Sequence, residues 1–361
     1  MIHWRWGDVV QVTTAADVIA RTGMVELTVV VDGAERAALA YPELVGIPSE
    51  GDRVLLNTTA QDLGLGTGGY ALVVAIPERL PAHVAERGHL VKARYTPMQA
   101  VVLGADEQDS PHHDVLRDAD DLDGLPVVVA DLHSALPAIV AGIHADRADA
   151  RVVYVMTDGG ALPMWFSRTV ALLRAHGLLA GTVTVGQAYG GDLEAVSVHT
   201  GLLAAAHALD ADIAIVTQGP GNLGTGTRWG FSGVAAGDAV NAAATLGGRP
   251  IGALRVSAVD VRDRHRGVSH HSRTAYGRVA LAACDIVVPR LPGGFGDTVR
   301  ADAAALAGRH RLVDVSCDGL VEALRDFPVA LETMGRGLDD DPAAFLASAA
   351  AGRHAAALLA R

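Results

Sequence analysis

The sequence predicts an α/β protein: a doubly wound, mainly parallel sheet preceded by a small all-β barrel or sandwich domain. Three observations predict it. Before residue 80, short β-branched runs alternate with turn residues; beyond residue 125, continuous apolar runs alternate with helical stretches; the segment between them is strongly acidic. Apolar strands separated by helices imply a parallel sheet covered on both faces.

In the first domain the runs Val9 to Thr13, Val25 to Val31, Asp52 to Leu56 and Tyr70 to Ile76 read as strands. Asp32-Gly33 stops the second run and signals a tight hairpin, because a two-residue turn of matching twist needs positive φ. Further turns fall at Ser49-Glu50-Gly51 and at Gly64 to Gly69, the latter a broad hairpin turn. Residues 105–123 carry eight acids against one base, Arg117, and read as a solvated linker or surface loop.

Beyond the acidic segment the strands are Pro126 to Ala130, Arg151 to Met156, Gly181 to Val185, Asp212 to Val216, Ile251 to Ser257, Asp285 to Pro289 and Arg311 to Val315. Helical patterns lie near 134–146, 163–176, 192–208, 234–246, 271–283 and 297–308. An alanine-rich stretch, 341–360, follows Asp339-Asp340-Asp341-Pro342 and reads as a terminal helix. The expected division is therefore 1–95 for the β domain, 96–125 for the acidic linker or surface loop, 126–330 for the α/β domain with the main site, and 331–361 for a C-terminal helical segment.

The chain has 361 residues, 50% of them hydrophobic, and can bury a large core. No apolar run approaches membrane-spanning length, and the start Met-Ile-His-Trp-Arg-Trp lacks the basic and apolar regions of a signal peptide, so the expectation is a cytoplasmic protein with no membrane partner. Two cysteines, Cys284 and Cys317, cannot make a disulfide framework. A net charge of -12, with Lys92 the only lysine, argues against nucleic acid as a partner. A homo-oligomer is the expected assembly.

In a doubly wound sheet the loops after the strands' carboxyl ends line one crevice. Here those loops are unusually polar and rich in glycine. The first strand is followed by Asp131, His133 and Ser134, the second by Thr157-Asp158-Gly159-Gly160, and the third by Gly186-Gln187 through Asp192. The fourth opens at Gln218 into a long loop containing six glycines, Gly219, Gly221, Gly224, Gly226, Gly230 and Gly233. With Thr225, Thr227 and Ser232 beside them, these glycines let backbone N–H groups approach an anionic ligand closely. The spacing fits neither the dinucleotide fingerprint nor the phosphate loop that ends in lysine.

The fifth loop, Asp260 to Ser272, packs His265, His270 and His271 together with Arg262, Arg264 and Arg266. Two readings stay open. In one, His265 and His270 or His271 join Asp131, His133 or Asp158 to hold a divalent metal that activates water. In the other, Arg262 and Arg266 bind an anion beside His270 acting as acid or base. A surface ion-pair cluster, with Asp260 and Asp263 pairing their neighbours, is the structural alternative.

Met156-Thr157-Asp158-Gly159-Gly160-Ala161-Leu162-Pro163, Gly186-Gln187 to Asp192, the glycine loop through Gly233 and Arg264-His265-Arg266-Gly267-Val268-Ser269-His270-His271 together resemble the bacterial family called domain of unknown function 3866. Gly51 to Thr58 and Gly66 to Tyr70 extend the resemblance into the first domain. The family's name implies no activity and supplies no catalytic residues. The shorter stretch His265-Arg266-Gly267-Val268-Ser269-His270 is similar to the H-R-G-x-[ST]-H segment of some membrane-bound metal-dependent hydrolases, whose membrane spans this chain lacks.

The functional expectation is an enzyme of hydrolytic or group-transfer type that binds an anionic, phosphorylated or otherwise charged, small molecule at the strand ends. Asp158, His265, His270 and His271 would supply catalytic groups; Asp131, His133 and His270 are candidate metal ligands. Gln187, Gln218, the glycine loop and the three arginines would bind the ligand. The alternative is a metabolite-sensing or assembly module that binds without turnover.

Overall fold

The computed structural model describes all residues except 16–17, 19–21, 66–67, 83–87, 161 and 360–361. The expected turn at Gly64 to Gly69 and the motif through Ala161 therefore fall partly outside the described residues. The chain divides into two compact units: residues 1–87, 91–102 and 165–171 form one, and 88–90, 103–164 and 172–361 the other.

The first unit holds a closed five-stranded barrel of β1 (Trp4–Val12), β2 (Val25–Val31), β3 (Ala34–Ala40), β4 (Arg53–Asn57) and β5 (Ala71–Ala75), in the order β1-β2-β3-β5-β4. Only the β3–β5 contact is parallel. Strand β2 alternates strictly, turning Val25, Leu27, Val29 and Val31 into the barrel. Asp32 (φ 52°) and Gly33 (φ 81°) make the tight turn that Asp-Gly predicts, bringing Val31 opposite Ala34. The strand that follows, Ala-Glu-Arg-Ala-Ala-Leu-Ala, has too much alanine to be legible as a strand; pairing with β2 imposes it.

A short ribbon, β6 (Leu90–Lys92) with β7 (Ala100–Val102), comes next. In the second unit, β8 (Pro126–Val129), β9 (Val152–Thr157), β10 (Gly181–Val185), β11 (Leu193–Ala195), β12 (Ile213–Gln218), β13 (Arg249–Ala253), β16 (Asp285–Arg290) and β17 (Arg311–Ser316) form one sheet. A ribbon of β14 (Val256–Ser257) and β15 (Gly267–Val268) lies between β13 and β16 in the chain, and β18 (Glu332–Thr333) pairs β19 (Arg336–Gly337) near its end. The large sheet runs β11-β10-β9-β12-β8-β13-β16-β17 with every pair parallel. From β8 the chain first winds out through β9, β10 and β11, then returns through β12 and crosses to β13 on the other side. The direction of winding reverses beside β8, and a crevice is expected at the strand ends there.

The principal helices are α1 (Leu136–Asp146), α2 (Arg168–Ala175), α3 (Val198–His207), α4 (Ala236–Thr245), α5 (His270–Thr274), α6 (Gly293–Ala304), α7 (Leu320–Arg325) and α8 (Pro342–Ala357). Leu202 of α3, Val240 of α4 and Val299 of α6 join Val127, Val155, Val216 and Val288 in one apolar core. Helix α8 packs closely on α1 and against β8, β13 and β16. The C-terminal segment, through α8, is therefore part of the second unit's core, not an appendage. The acidic stretch is likewise anchored, with Ala105, Leu116 and Leu122 buried in that core.

Two expected elements are subdivided. The helix expected over 192–208 begins as an edge strand, because buried Glu194 accepts from Thr184 Oγ1 at 2.8 Å and Gly190 N at 2.6 Å and so holds β11 on β10. The strand expected over Ile251 to Ser257 breaks at Leu254-Arg255 and continues as β14, and that break delivers Arg255 to the strand ends.

Candidate functional site

Residues at the ends of β8, β12 and β13 converge where the winding reverses. After β8, Asp131 is 3% exposed. Its backbone oxygen accepts from Gln218 Nε2 at 2.6 Å, which ties the end of β12 to the end of β8. The same Gln218 nitrogen donates to Asn222 Oδ1 at 2.9 Å, and Asn222 Oδ1 also accepts from Gly233 N at 3.2 Å. One short amide thus closes the base of the glycine loop. Gly233 lies so near β8 that a methyl group there would sit 2.6 Å from Asp131 O, a contact only glycine permits.

Above that base the glycine loop is a narrow hairpin: Thr225 N donates to Gly230 O at 2.8 Å and Ser232 N to Leu223 O at 2.9 Å. Gly221, Gly224, Thr225, Gly226 and Thr227 are exposed, whereas Gly219 is buried. Thr225 and Thr227 face each other with their hydroxyls 3.2 Å apart. A methyl group on Gly226 would lie 3.8 Å from Arg264 Nη2, so the hairpin tip stands beside the basic loop.

The basic loop is shaped by the β14–β15 ribbon. Gly267 has φ +66°, and a Cβ there would lie 2.4 Å from Asp302 Oδ2, so both conformation and space require glycine. Ser269 caps α5, its hydroxyl accepting from His271 N at 3.2 Å, and the same hydroxyl lies 2.8 Å from His265 Nδ1. His270 and His271 consequently start the helix facing His265. Ring centroids are 4.9 Å apart for His265–His270 and for His265–His271, and 4.5 Å apart for His270–His271. One ligating atom from each of the three lies within 4.8 Å of the others. Phe231, at the foot of the glycine hairpin, stacks flat on His271 at 3.8 Å.

The cluster's electrostatics disfavour protonation of two of its imidazoles, His265 and His270. Burial, reinforced by Arg255 and Arg262, pushes His265 down to about 3. Burial, reinforced by His271 and Arg264, pushes His270 down to about 4. His270 Nε2 is buried and has no hydrogen-bond partner. His271 Nδ1 lies 3.1 Å from Asp131 Oδ2 and 3.0 Å from Arg255 Nη1. Arg255 only donates, so His271 either donates from Nδ1 to Asp131, leaving Nε2 as a lone pair, or accepts from Arg255 with its proton on Nε2. The first tautomer is the one a metal requires, with a carboxylate orienting the ligand.

Of the residues singled out in the sequence, His265, His270 and His271 come together, with Asp131 as a partner of His271 and not as a member of the triplet. His133 is elsewhere: its Nδ1 meets Tyr154 Oη at 3.1 Å beneath the crevice, and burial pushes it down to about 4. Asp158 stands exposed after β9, accepting from Gly160 N at 3.0 Å and Gln187 N at 3.2 Å, so it fastens neighbouring loops. Arg262 spends its fork on Asp260, at 2.9 and 2.8 Å, and holds that carboxyl well below the usual range. Arg264 and Arg266 are exposed. Cys284 is buried, its thiol pushed up to about 12, as befits a core residue.

Sequence reading missed Asn222, Phe231, Arg255 and Arg336. Asn222 and Phe231 lay within the glycine loop but carried no charge to single them out. Arg255 was hidden inside a run that looked like uninterrupted strand.

The depressed His133 makes a stability prediction. Its pKa is lowered in the folded chain, so its contribution is present above the unfolded value of about 6.5 and is lost as pH falls toward about 4. The full shift corresponds to roughly 3 kcal/mol. Urea unfolding followed between pH 7 and pH 4 should show a shallower loss for His133→Gln than for the native chain; parallel curves would show that His133 does not carry the acid lability.

Taken together, the fold and site define a doubly wound α/β protein with an imidazole cluster at its switch point. Residues 37–352 match the family model described as Protein of unknown function (DUF3866), and the chain belongs to that family. No curated protein and no solved structure matches the chain. Among the described residues, no helix is long and apolar enough to cross a membrane.

Proposed function

We propose that this chain is a metal-dependent hydrolase or group-transfer enzyme acting on an anionic small molecule, with His265, His270 and His271 as the ligands of one divalent ion. The observation that carries this reading is the convergence of three imidazoles at the switch point, one of them with a buried nitrogen that nothing satisfies. Tetrahedral coordination at about 2.0–2.1 Å would place the three nitrogens roughly 3.4 Å apart, so ring rotations of about an ångström would close the cluster around an ion. Three protein ligands leave a position open, as catalytic sites do.

When bound, the ion would act as a Lewis acid on the substrate's ester or anhydride oxygen. The residues around it would do the rest. Asp131 would hold His271 in the ligating tautomer and Ser269 would orient His265. Burial, with Arg255, Arg262 and Arg264 nearby, disfavours protonation of His265 and His270; the arginines would also oppose a cation, a repulsion that Asp131 and the coordination bonds would offset. The exposed hairpin tip with Thr225 and Thr227, together with Arg264 and Arg266, would form the rim that receives the anion.

The test is metal titration of chelator-treated protein with zinc and manganese, followed by a panel of phosphate esters, anhydrides and carboxylate esters. One ion per chain with metal-dependent turnover is expected. Failure to retain any ion would overturn the metal centre, and saturable binding of panel members without turnover would make the protein a sensor.

A further inference from the structure

Beside Asp131 lies a partly open cavity of about 40 Å³, lined by residues at the ends of β8 and β13, the β14 and β19 ribbon strands, and α8. One water needs about 10–15 Å³ on this measure, so the space holds a few waters or one small head group. Arg255 and Arg336 form part of its wall, with Asp131, Asp260 and Asp341 beside them.

The carboxylates in that wall are largely satisfied. Asp260 takes the fork and the backbone N–H of Arg262. Asp341, fully buried, accepts from Ser257 Oγ at 2.5 Å and Ala258 N at 3.1 Å. The guanidiniums are not. Arg336 makes one long bond, Nη2 to Asp260 Oδ2 at 3.4 Å, and its buried Nε, though 3.7 Å from Asp341 Oδ2, makes no hydrogen bond. Arg255 has one side-chain hydrogen bond, to His271 Nδ1, and a looser ion pair with Asp131 Oδ2 at 3.8 Å. An arginine side chain carries five N–H donors, so Arg255 and Arg336 keep most of theirs spare, more than the spare acceptor sites left on Asp131 and Asp341. With three acids near three arginines, counting Arg262, the net charge is close to zero; the donor surplus is what selects an occupant. A ligand that only accepts answers it, and a planar or tetrahedral oxyanion matches the forks.

We propose that this cavity is an oxyanion subsite in which Arg255 and Arg336 receive the carboxylate or phosphoryl head group of the anionic ligand. The subsite's meaning rests on the metal-centre reading; its chemistry does not. Arg255 links the two places. An oxyanion that engages Arg255 withdraws the donor from His271 Nδ1 and leaves that nitrogen to donate to Asp131, which frees Nε2 for the ion. Head-group binding and metal binding should therefore strengthen each other, reciprocally.

Calorimetric titration with inorganic phosphate and with acetate, on metal-stripped and metal-loaded protein, tests this directly. Saturable binding of phosphate, acetate or both is expected in the native chain, with the preferred ion naming the head group. Binding should weaken at least tenfold in Arg336→Gln and persist in metal-stripped His270→Ala. No saturable oxyanion binding by the native protein would overturn the proposal, whether or not the variants fold. Undiminished binding in folded Arg336→Gln would do the same. Oxyanion binding without metal retention would sink the metal centre alone, and metal retention without oxyanion binding would sink the subsite alone.

Discussion

Alanine at His270 should take the bound divalent ion from about one per chain to less than about a tenth, at metal concentrations where the native protein is saturated, with only a small change in melting temperature. The selectivity of that loss follows from how His270 is held. Its Nε2 has no hydrogen-bond partner, so truncation orphans nothing, and it sits at the first position of α5, whose cap is made by Ser269. His271 makes a poorer test. Its ring stacks on Phe231 and faces a buried carboxylate, so removing it leaves Asp131 only its looser 3.8 Å ion pair with Arg255, at a cost of up to about 3–5 kcal/mol. Asp131→Asn should keep the fold better while lowering metal affinity about 10–100-fold, the usual effect of losing a carboxylate behind a ligating histidine. Elemental analysis beside a thermal melt separates these outcomes. Full metal occupancy in folded His270→Ala would remove it from the ligand set.

Gly352→Ala should destabilise the second unit by about 2 kcal/mol, although helix propensity alone predicts the reverse. Replacing a mid-helix glycine by alanine ordinarily gains about 1 kcal/mol. Here α8 crosses α1 with backbone against backbone: a Cβ on Gly352 would lie 2.0 Å from Ile139 O, and one on Gly142 would lie 2.0 Å from Ala349 O. Backbone oxygens cannot rotate away as side chains do, so the two helices must part. Overpacking of this kind costs about 1–3 kcal/mol and sometimes more, which exceeds the propensity gain. At about 2–4 °C per kcal/mol for a unit of this size, the melting temperature should fall by several degrees. Because α8 also carries Phe345 into the wall of the oxyanion cavity, phosphate binding should weaken with it. A rise in melting temperature would show that the helices can yield at this crossing.

Much of the architecture was legible from the order of residues. Strands such as Val127-Val128-Val129 and Ile213 to Val216 announce themselves because a strand buried on both faces must be apolar throughout. Asp32-Gly33 announces its turn because few pairs tolerate two positive φ values in succession. The histidine loop stood out as well, since imidazole and guanidinium groups at that density have few structural uses.

Other features arise only when distant segments meet. Nothing in the sequence pairs Asp131 with His271 in preference to His133, or turns His133 toward Tyr154; those choices follow from β9 and β12 lying on one side of β8 and β13 on the other. Arg336 reaches Arg255 because α8 and the ribbon before it fold back over the strand ends. Periodicity records which face of an element is apolar, since that depends on near neighbours in the chain. The partners of a buried polar group depend on strand order, which local pattern does not encode, and so the elements could be read before folding while the site could not.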